Sequence, residues 1–204
     1  AVVMWVGDNS VDHSEDNLHI GGVCRSNALI ASIMGYTFIS CAPKPAEMLP
    51  EDVALVKANC EKSGGKFIQT DDPYQYIEDV DFIITDAWWY HGSDHLKDKK
   101  LDEFFPKYAV NDELIAAAPE WVKVMQPLTG NRGYEISESV WDGPHSLLIE
   151  QAANRFHTQK GLLATFMYPR ARQQKQAMVD YYTAQVEMAL TPTVDKVAGT
   201  HYGD

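Results

Sequence analysis

Three stretches of this sequence place polar groups directly after short apolar runs. Residues 1–6 (AVVMWV) empty into GDNS at 7–10, residues 81–85 (DFIIT) into DAWWYHG at 86–92, and residues 121–125 (WVKVM) into QPLTGNRG at 126–133. A carboxylate such as Asp86, set in a cleft after an apolar strand, holds an ammonium group through a charge-assisted hydrogen bond. The same residue type also caps the turn that follows a strand, and both readings stay open. His91 and His95 stand four apart, a spacing that puts two imidazoles on one helix face for zinc. Gly92 and Ser93 between them make the stretch loop-like and no third ligand is evident, so a polar loop is expected and no metal. Arg132 follows a Gly-Asn turn, where a guanidinium can grip a carboxylate or phosphate with two parallel hydrogen bonds. Arg155 falls inside a long helical pattern, where a surface ion pair with Glu150 or a neighbour is the plainer reading. Cys24, Cys41 and Cys60 are an odd number without a Cys-x-x-Cys spacing, which fits small core residues better than a disulfide scaffold or a zinc knuckle. The sequence has no Gly-x-Ser-x-Gly elbow for a serine nucleophile and no Gly-x-Gly-x-x-Gly loop for a dinucleotide.

These loops need a scaffold, and the pattern around them supplies one. Apolar runs of strand type occur at 1–6, 36–41, 66–69, 81–85 and 121–125. Helical patterns are expected at about 25–34, 51–62, 72–78, 96–105, 111–117, 145–167 and 170–190, with 191–204 as a tail. Gly35 and Gly64 mark helix ends, and Pro43, Pro45, Pro50, Pro106 and Pro169 break the pattern between elements. Strands alternate with helices, and each connection is long enough for a crossover. That order predicts an α/β fold, a doubly wound parallel sheet of about five strands with C-terminal helices. In such sheets ligands bind outside the carboxyl ends of the strands, which is where the three polar loops sit.

Composition narrows the partners. A chain of 204 residues is one domain or at most two small ones, and 45% hydrophobic residues can build a core. The formal net charge of −12 repels a phosphate backbone, and Lys97, Lys99 and Lys100 alternate with Asp98 and Asp102 rather than forming a basic stripe. Nucleic acid is therefore not an expected partner. No apolar run reaches the roughly 18 residues of a membrane span, so no membrane partner is expected. Free cysteines and the lack of a signal-peptide pattern point to a reducing cytoplasm. Because the sequence opens on a run of core type, a further domain or partner chain is expected to precede it.

The run GNRGYEISESVWDGPHSLLIEQAANRFHTQKGLL at 130–163 resembles the closing region of the ornithine and aspartate carbamoyltransferase family. TDAWWYHG at 85–92 stands where that family has its Asp-x-Trp loop. NCEKSGGKFIQTDD at 59–72 and FFPKYAVNDEL at 104–114 are similar to its ornithine and putrescine branches. The resemblance covers residues 1–168 and implies the family's second, amine-binding domain, with 169–204 as a helical extension and tail. The family's carbamoyl-phosphate domain, with its Ser-Thr-Arg-Thr-Arg loop, is not found in this sequence, so a fragment or a separate carbamoyl-phosphate-binding chain is expected.

The resemblance implies transfer of a carbamoyl group between carbamoyl phosphate and a primary amine, with no cofactor. It assigns Asp86 and Asn9 to the acceptor, Leu128 to a backbone contact beside the reacting amine, Arg132 to the Arg-Gly turn, and Arg155 to carbamoyl phosphate. The long C-terminal helix resembles the one that locks a trimer in putrescine carbamoyltransferases, so a homo-oligomer is expected. This sequence also departs from the pattern. Gln126-Pro127-Leu128-Thr129 replaces the His-Cys-Leu-Pro of ornithine enzymes, so Pro127 stands with Leu128, Arg132 and Arg155 among the expected catalytic positions but without the thiol beside the reacting amine, and Gln126 is expected to bind substrate. Tyr90-His91-Gly92 replaces Ser-Met-Gly, where Tyr90 and His91 are expected to reshape the acceptor pocket. The insertion at 11–22 falls where some relatives thread a knotted loop. The competing expectations are an enzyme with a different acceptor, and a catalytically silent subunit serving assembly or regulation; a generic nucleotide-binding module is a more distant one.

Overall fold

The computed structural model describes residues 1–9, 22–90, 92–167, 178–181 and 183–184. Residues 10–21, His91 and most of 168–204 lie outside the described residues, and with them the expectations placed there.

Five strands form one sheet: β1 (Val2–Val6), β2 (Thr37–Cys41), β3 (Lys66–Thr70), β4 (Phe82–Ile84) and β5 (Lys123–Met125). Their order is β3-β2-β1-β4-β5 and every pairing is parallel. The expected fold class is the one found. The chain winds outward from β1 to β3, returns to the other side of β1 at β4, and continues to β5. The reversal places a crevice at the carboxyl ends of β1 and β4.

Side-chain alternation splits the core into two layers, as a sheet buried on both faces requires. Met4, Val6, Ile39, Cys41, Ile83 and Val124 pack on one side with Trp88 and Phe104. Val3, Trp5, Phe38, Ile84 and Met125 pack on the other with Cys24, Ala28 and Val56. Cys24, Cys41 and Cys60 are buried free thiols.

The helices are α1 (Gly22–Ile33), α2 (Pro50–Ser63), α3 (Lys97–Phe104), α4 (Asp112–Ala117), α5 (Glu138–Trp141) and α6 (Leu148–Met167). Helix α2 begins with Pro50 in its first turn beside Glu51 and Asp52, which favour the helix dipole, and it ends on Gly64 at φ 80°. Asn111 caps α4 by accepting from the Leu114 N–H.

Two elements differ from expectation. The helix expected at 72–78 is a run of turns closed by a short 3-10 turn at Ile77–Asp79. There Asp72 accepts from the Tyr74 N–H and Thr70 accepts from the Asp72 N–H, so side chains offer the backbone an alternative to helix bonds. The single-turn α5 was not expected; Ser137 caps it by accepting from the Val140 N–H. Compactness divides the chain into two units, Ala1–Ala153 and Asn154–Asp204. No helix among the described residues is long and apolar enough to cross a membrane.

Candidate functional site

The first unit concentrates unsatisfied polarity at one edge. Among the described residues, the buried side-chain atoms without a hydrogen-bond partner are Asn9 Oδ1, Thr85 Oγ1, Asp86 Oδ2, Trp88 Nε1, and Gln126 Oε1 and Nε2. All belong to residues just beyond β1, β4 or β5, at the crevice that the strand order creates. A buried polar atom without a partner costs about 1–3 kcal/mol. Such atoms are rare in folded proteins, and their collection at one edge makes it the candidate ligand site.

The first loop places Asp8 and Asn9, 4% and 2% exposed. Asp8 pairs with Lys100 Nζ of α3 at 2.5 Å, and Lys100 is itself buried. Asn9 donates through Nδ2 to Ser40 Oγ and takes the Ala46 carbonyl through its backbone N–H. Those bonds fix its side chain and leave Oδ1 open.

The second loop carries Asp86, Trp88 and Tyr90. Asp86 is buried, and its Oδ1 accepts from the Ala87 N–H at 2.8 Å. Burial pushes the Asp86 carboxyl above the ordinary aspartate value. The Ala87 N–H and the nearby Tyr90 side chain hold it down, and the Asp8 carboxylate raises it. Tyr90 lies close enough to favour the anion, yet Oδ2 has no partner of hydrogen-bonding geometry. Burial and the Asp86 carboxylate in turn push the Tyr90 phenol far up. Gly7, at φ 123°, makes room here, because a Cβ on it would lie 2.9 Å from Trp88 Nε1.

The third loop begins at Gln126, which is fully buried. The register Ile84↔Met125 continues as Thr85 beside Gln126, with the Thr85 N–H bonded to the Met125 carbonyl. Gln151 of α6 donates to the Gln126 carbonyl. Pro127 is half-buried and Leu128 is 44% exposed, and the Leu128–Thr129 peptide is cis. Gly130 has φ 50°, and a Cβ there would lie 2.7 Å from the Gln126 carboxamide. Gly130→Ala is therefore expected to destabilise the fold by about 1–3 kcal/mol through strain and overpacking, read as a lower denaturation midpoint at unchanged m-value.

Glu135 joins the second and third loops. It is fully buried, and its Oε1 accepts from the Trp88 N–H and from Asn131 Nδ2, while Oε2 accepts from the Asn131 N–H, each at 2.8 Å. Burial raises its carboxyl pKa against the pull of these donors. Asn131 Nδ2 also donates to the Trp89 carbonyl. Between the two loops lies a small cleft of about 100 Å³ lined by Ala87, Trp89, Tyr90, Thr129, Gly130 and Asn131, with Asp94 at its side.

The structure thus brings Asp86 and Tyr90 together, with Asn9 and Gln126 at the same sheet edge. Arg132 is set differently. Its guanidinium takes both Asp142 oxygens and lies over the Trp141 ring. Arg155 lies on the second unit and is exposed. Among the described residues no cluster of three or more His, Cys, Asp or Glu side chains is arranged for a metal. Sequence reasoning missed Glu135 and Lys100 as parts of the site. Glu135 stands inside the Arg-Gly run, and nothing in that run marks it as turned inward. The signal for Lys100 was its position one helical turn before Phe104.

Chemically the edge offers one carboxylate with an open oxygen, donors at Trp88 and Gln126, and acceptors at Asn9, Thr85 and Gln126. Asp8 has its lysine and Glu135 its three N–H groups. That combination suits a cationic or amine group flanked by neutral polar atoms.

Comparison with known proteins gives the family. Residues 2–166 match the family profile described as aspartate/ornithine carbamoyltransferase, Asp/Orn binding domain. The chain is 39% identical over 163 residues to the ornithine carbamoyltransferase of Methanosarcina acetivorans, covering 80% of this chain and 49% of that protein. It is 30% identical over 185 residues to the putrescine carbamoyltransferase of Mycoplasma capricolum, covering 91% and 48%. The solved structure of ornithine carbamoyltransferase from Pyrococcus furiosus superposes with a TM-score of 0.68 at 27% identity, covering 80% of this chain and 48% of that one. The chain spans about half the length of these relatives.

Proposed function

Because the chain belongs to the aspartate/ornithine carbamoyltransferase family, we propose that it supplies the amine-acceptor half of a carbamoyltransferase acting on a primary amine of the ornithine or putrescine class. The observation that carries this reading is Asp86: a buried carboxylate with one open oxygen, at the edge where the orphaned polar atoms gather. The second, non-reacting ammonium group of such an acceptor gives that oxygen the donor it lacks.

In the proposed reaction the neutral amine nitrogen attacks the carbamoyl carbon. The new C–N bond forms as the bond from carbon to the phosphate oxygen breaks, phosphate leaves, and the nitrogen sheds one proton. Nothing covalent is asked of the protein. Its work is to position the amine and to stabilise charge developing on oxygen. Asp86, Asn9, Tyr90, His91 and Gln126 are proposed for the acceptor, with Pro127 and Leu128 shaping the loop beside it. Arg155 is proposed for carbamoyl phosphate. Arg132 is proposed for the same substrate, a role for which it must exchange its Asp142 partner.

Residues 1–168 are proposed as the acceptor domain, with the carbamoyl-phosphate domain supplied by sequence outside these residues. A trimer in the cytoplasm is the proposed assembly, to be checked by sedimentation. The test of function is the complete enzyme incubated with carbamoyl phosphate and a panel of amines, ornithine and putrescine first. The expected result is equal release of phosphate and ureido product with at least one of them. Failure with every amine overturns the reading.

A further inference from the structure

Glu135 does not line the cleft, yet it is the group that ties its two walls. Three donors converge on its carboxylate: the Trp88 N–H from the loop after β4, and the Asn131 N–H and Nδ2 from the loop after β5. Trp89 and Tyr90, which follow Trp88, form one wall; Thr129 and Gly130, which precede Asn131, form the other. Trp88 and Glu135 are 47 residues apart in sequence, so no local geometry holds these loops together. Asn131 Nδ2 adds a second tie to the Trp89 carbonyl.

We propose that Glu135 is a positioning residue for the acceptor: by accepting three N–H groups across the cleft it fixes the spacing of the walls that grip the amine, without touching the amine itself. The proposal rests on the carbamoyltransferase reading above. Its charge state follows from its partners. All three are donors, so only a side chain that accepts with both oxygens satisfies them, and a carboxylate does. A carboxamide does not. If its NH₂ replaces Oε2 it faces the Asn131 N–H; if it replaces Oε1 it faces the Trp88 N–H and Asn131 Nδ2. Either way two donors meet and the walls move apart. Displacements of about 1 Å in groups that orient a substrate cost up to roughly 100-fold in rate or affinity.

The test is steady-state kinetics of the complete enzyme carrying Glu135→Gln, Glu135→Asp, Asn131→Ala, and the pair Glu135→Gln/Asn131→Ala. For Glu135→Gln the expected result is an acceptor KM raised roughly 10- to 100-fold, with the KM for carbamoyl phosphate unchanged. Glu135→Asp keeps the charge but shortens the reach, and is expected between Gln and wild type. The double variant is expected to be no worse than the worse single one, because both act through the same tie. Amide hydrogen exchange at Trp88 and Asn131 should accelerate in Glu135→Gln. Were the residue only structural, the apparent kcat per total enzyme would fall with the folded fraction while both KM values stayed at the wild-type level, and that result overturns the proposal. Wild-type turnover with an unchanged acceptor KM in Glu135→Gln overturns the tie alone. No wild-type turnover with any amine overturns the underlying reaction instead.

Discussion

Asp86→Asn is expected to raise the acceptor KM roughly 10²- to 10³-fold while leaving the fold intact. Asparagine retains an oxygen to accept from the Ala87 N–H, so the turn survives. What it loses is the charge behind Oδ2, the oxygen without a partner. Truncating one side of a buried, hydrogen-bonded charge pair costs about 2–5 kcal/mol of binding, and each 1.4 kcal/mol is about tenfold. The ligand-free protein should move the other way. Because the folded pKa of Asp86 lies above its ordinary value of 3.8, ionising it opposes folding. That opposition is absent below the unfolded value and grows as the pH rises through the higher folded one. Asp86→Asn should therefore be at least as stable as wild type at neutral pH, with the difference vanishing toward acid. Acceptor affinity in wild type should begin to fall on acidification before an ordinary aspartate would titrate. Paired thermal melts and acceptor KM values across pH check both signs. An unchanged acceptor KM in Asp86→Asn would show that the carboxylate only caps its turn.

The second large effect is expected from Lys100→Met. Lys100 and Asp8 are both at most 5% exposed, and their 2.5 Å contact joins α3 to the loop after β1. Forming such a pair brings little net stability, because both ions leave water. Breaking it from one side costs up to about 3–5 kcal/mol, since a buried carboxylate loses this lysine. Lys100→Met should lower the unfolding free energy by that amount in urea titration. Asp8→Asn added to it should recover most of the loss. A single variant within about 0.5 kcal/mol of wild type, the range of ordinary surface changes, would show the pair to be solvated.

The strands and the loops after them were legible because the signals there are local. Apolar runs closed by glycine or polar residues identify β1, β4 and β5, and crossover lengths identify their parallel pairing. Glu135 was not legible, because its meaning lies in Trp88, which the sequence holds far away. Lys100 was obscured by its neighbours: Lys97, Lys99, Asp98 and Asp102 read as a solvated face, and only the spacing to Phe104 separates Lys100 from them. The 72–78 stretch misled for the opposite reason. Its composition suits a helix, but Thr70 and Asp72 offer their own oxygens to the backbone first.

The tie through Glu135 also bears on how such a protein diversifies. Tyr90 and Thr129 face the cleft without holding its width, whereas Asn131 both lines it and holds it. Exchange of Tyr90 or Thr129 leaves the three N–H contacts of Glu135 in place. Selectivity can therefore drift by single substitutions at Tyr90 and Thr129, whereas a change at Glu135 strands the Trp88 and Asn131 backbone N–H groups, which no side-chain change elsewhere removes. Variation among descendants of this chain should be free at Tyr90 and Thr129 and suppressed at Glu135.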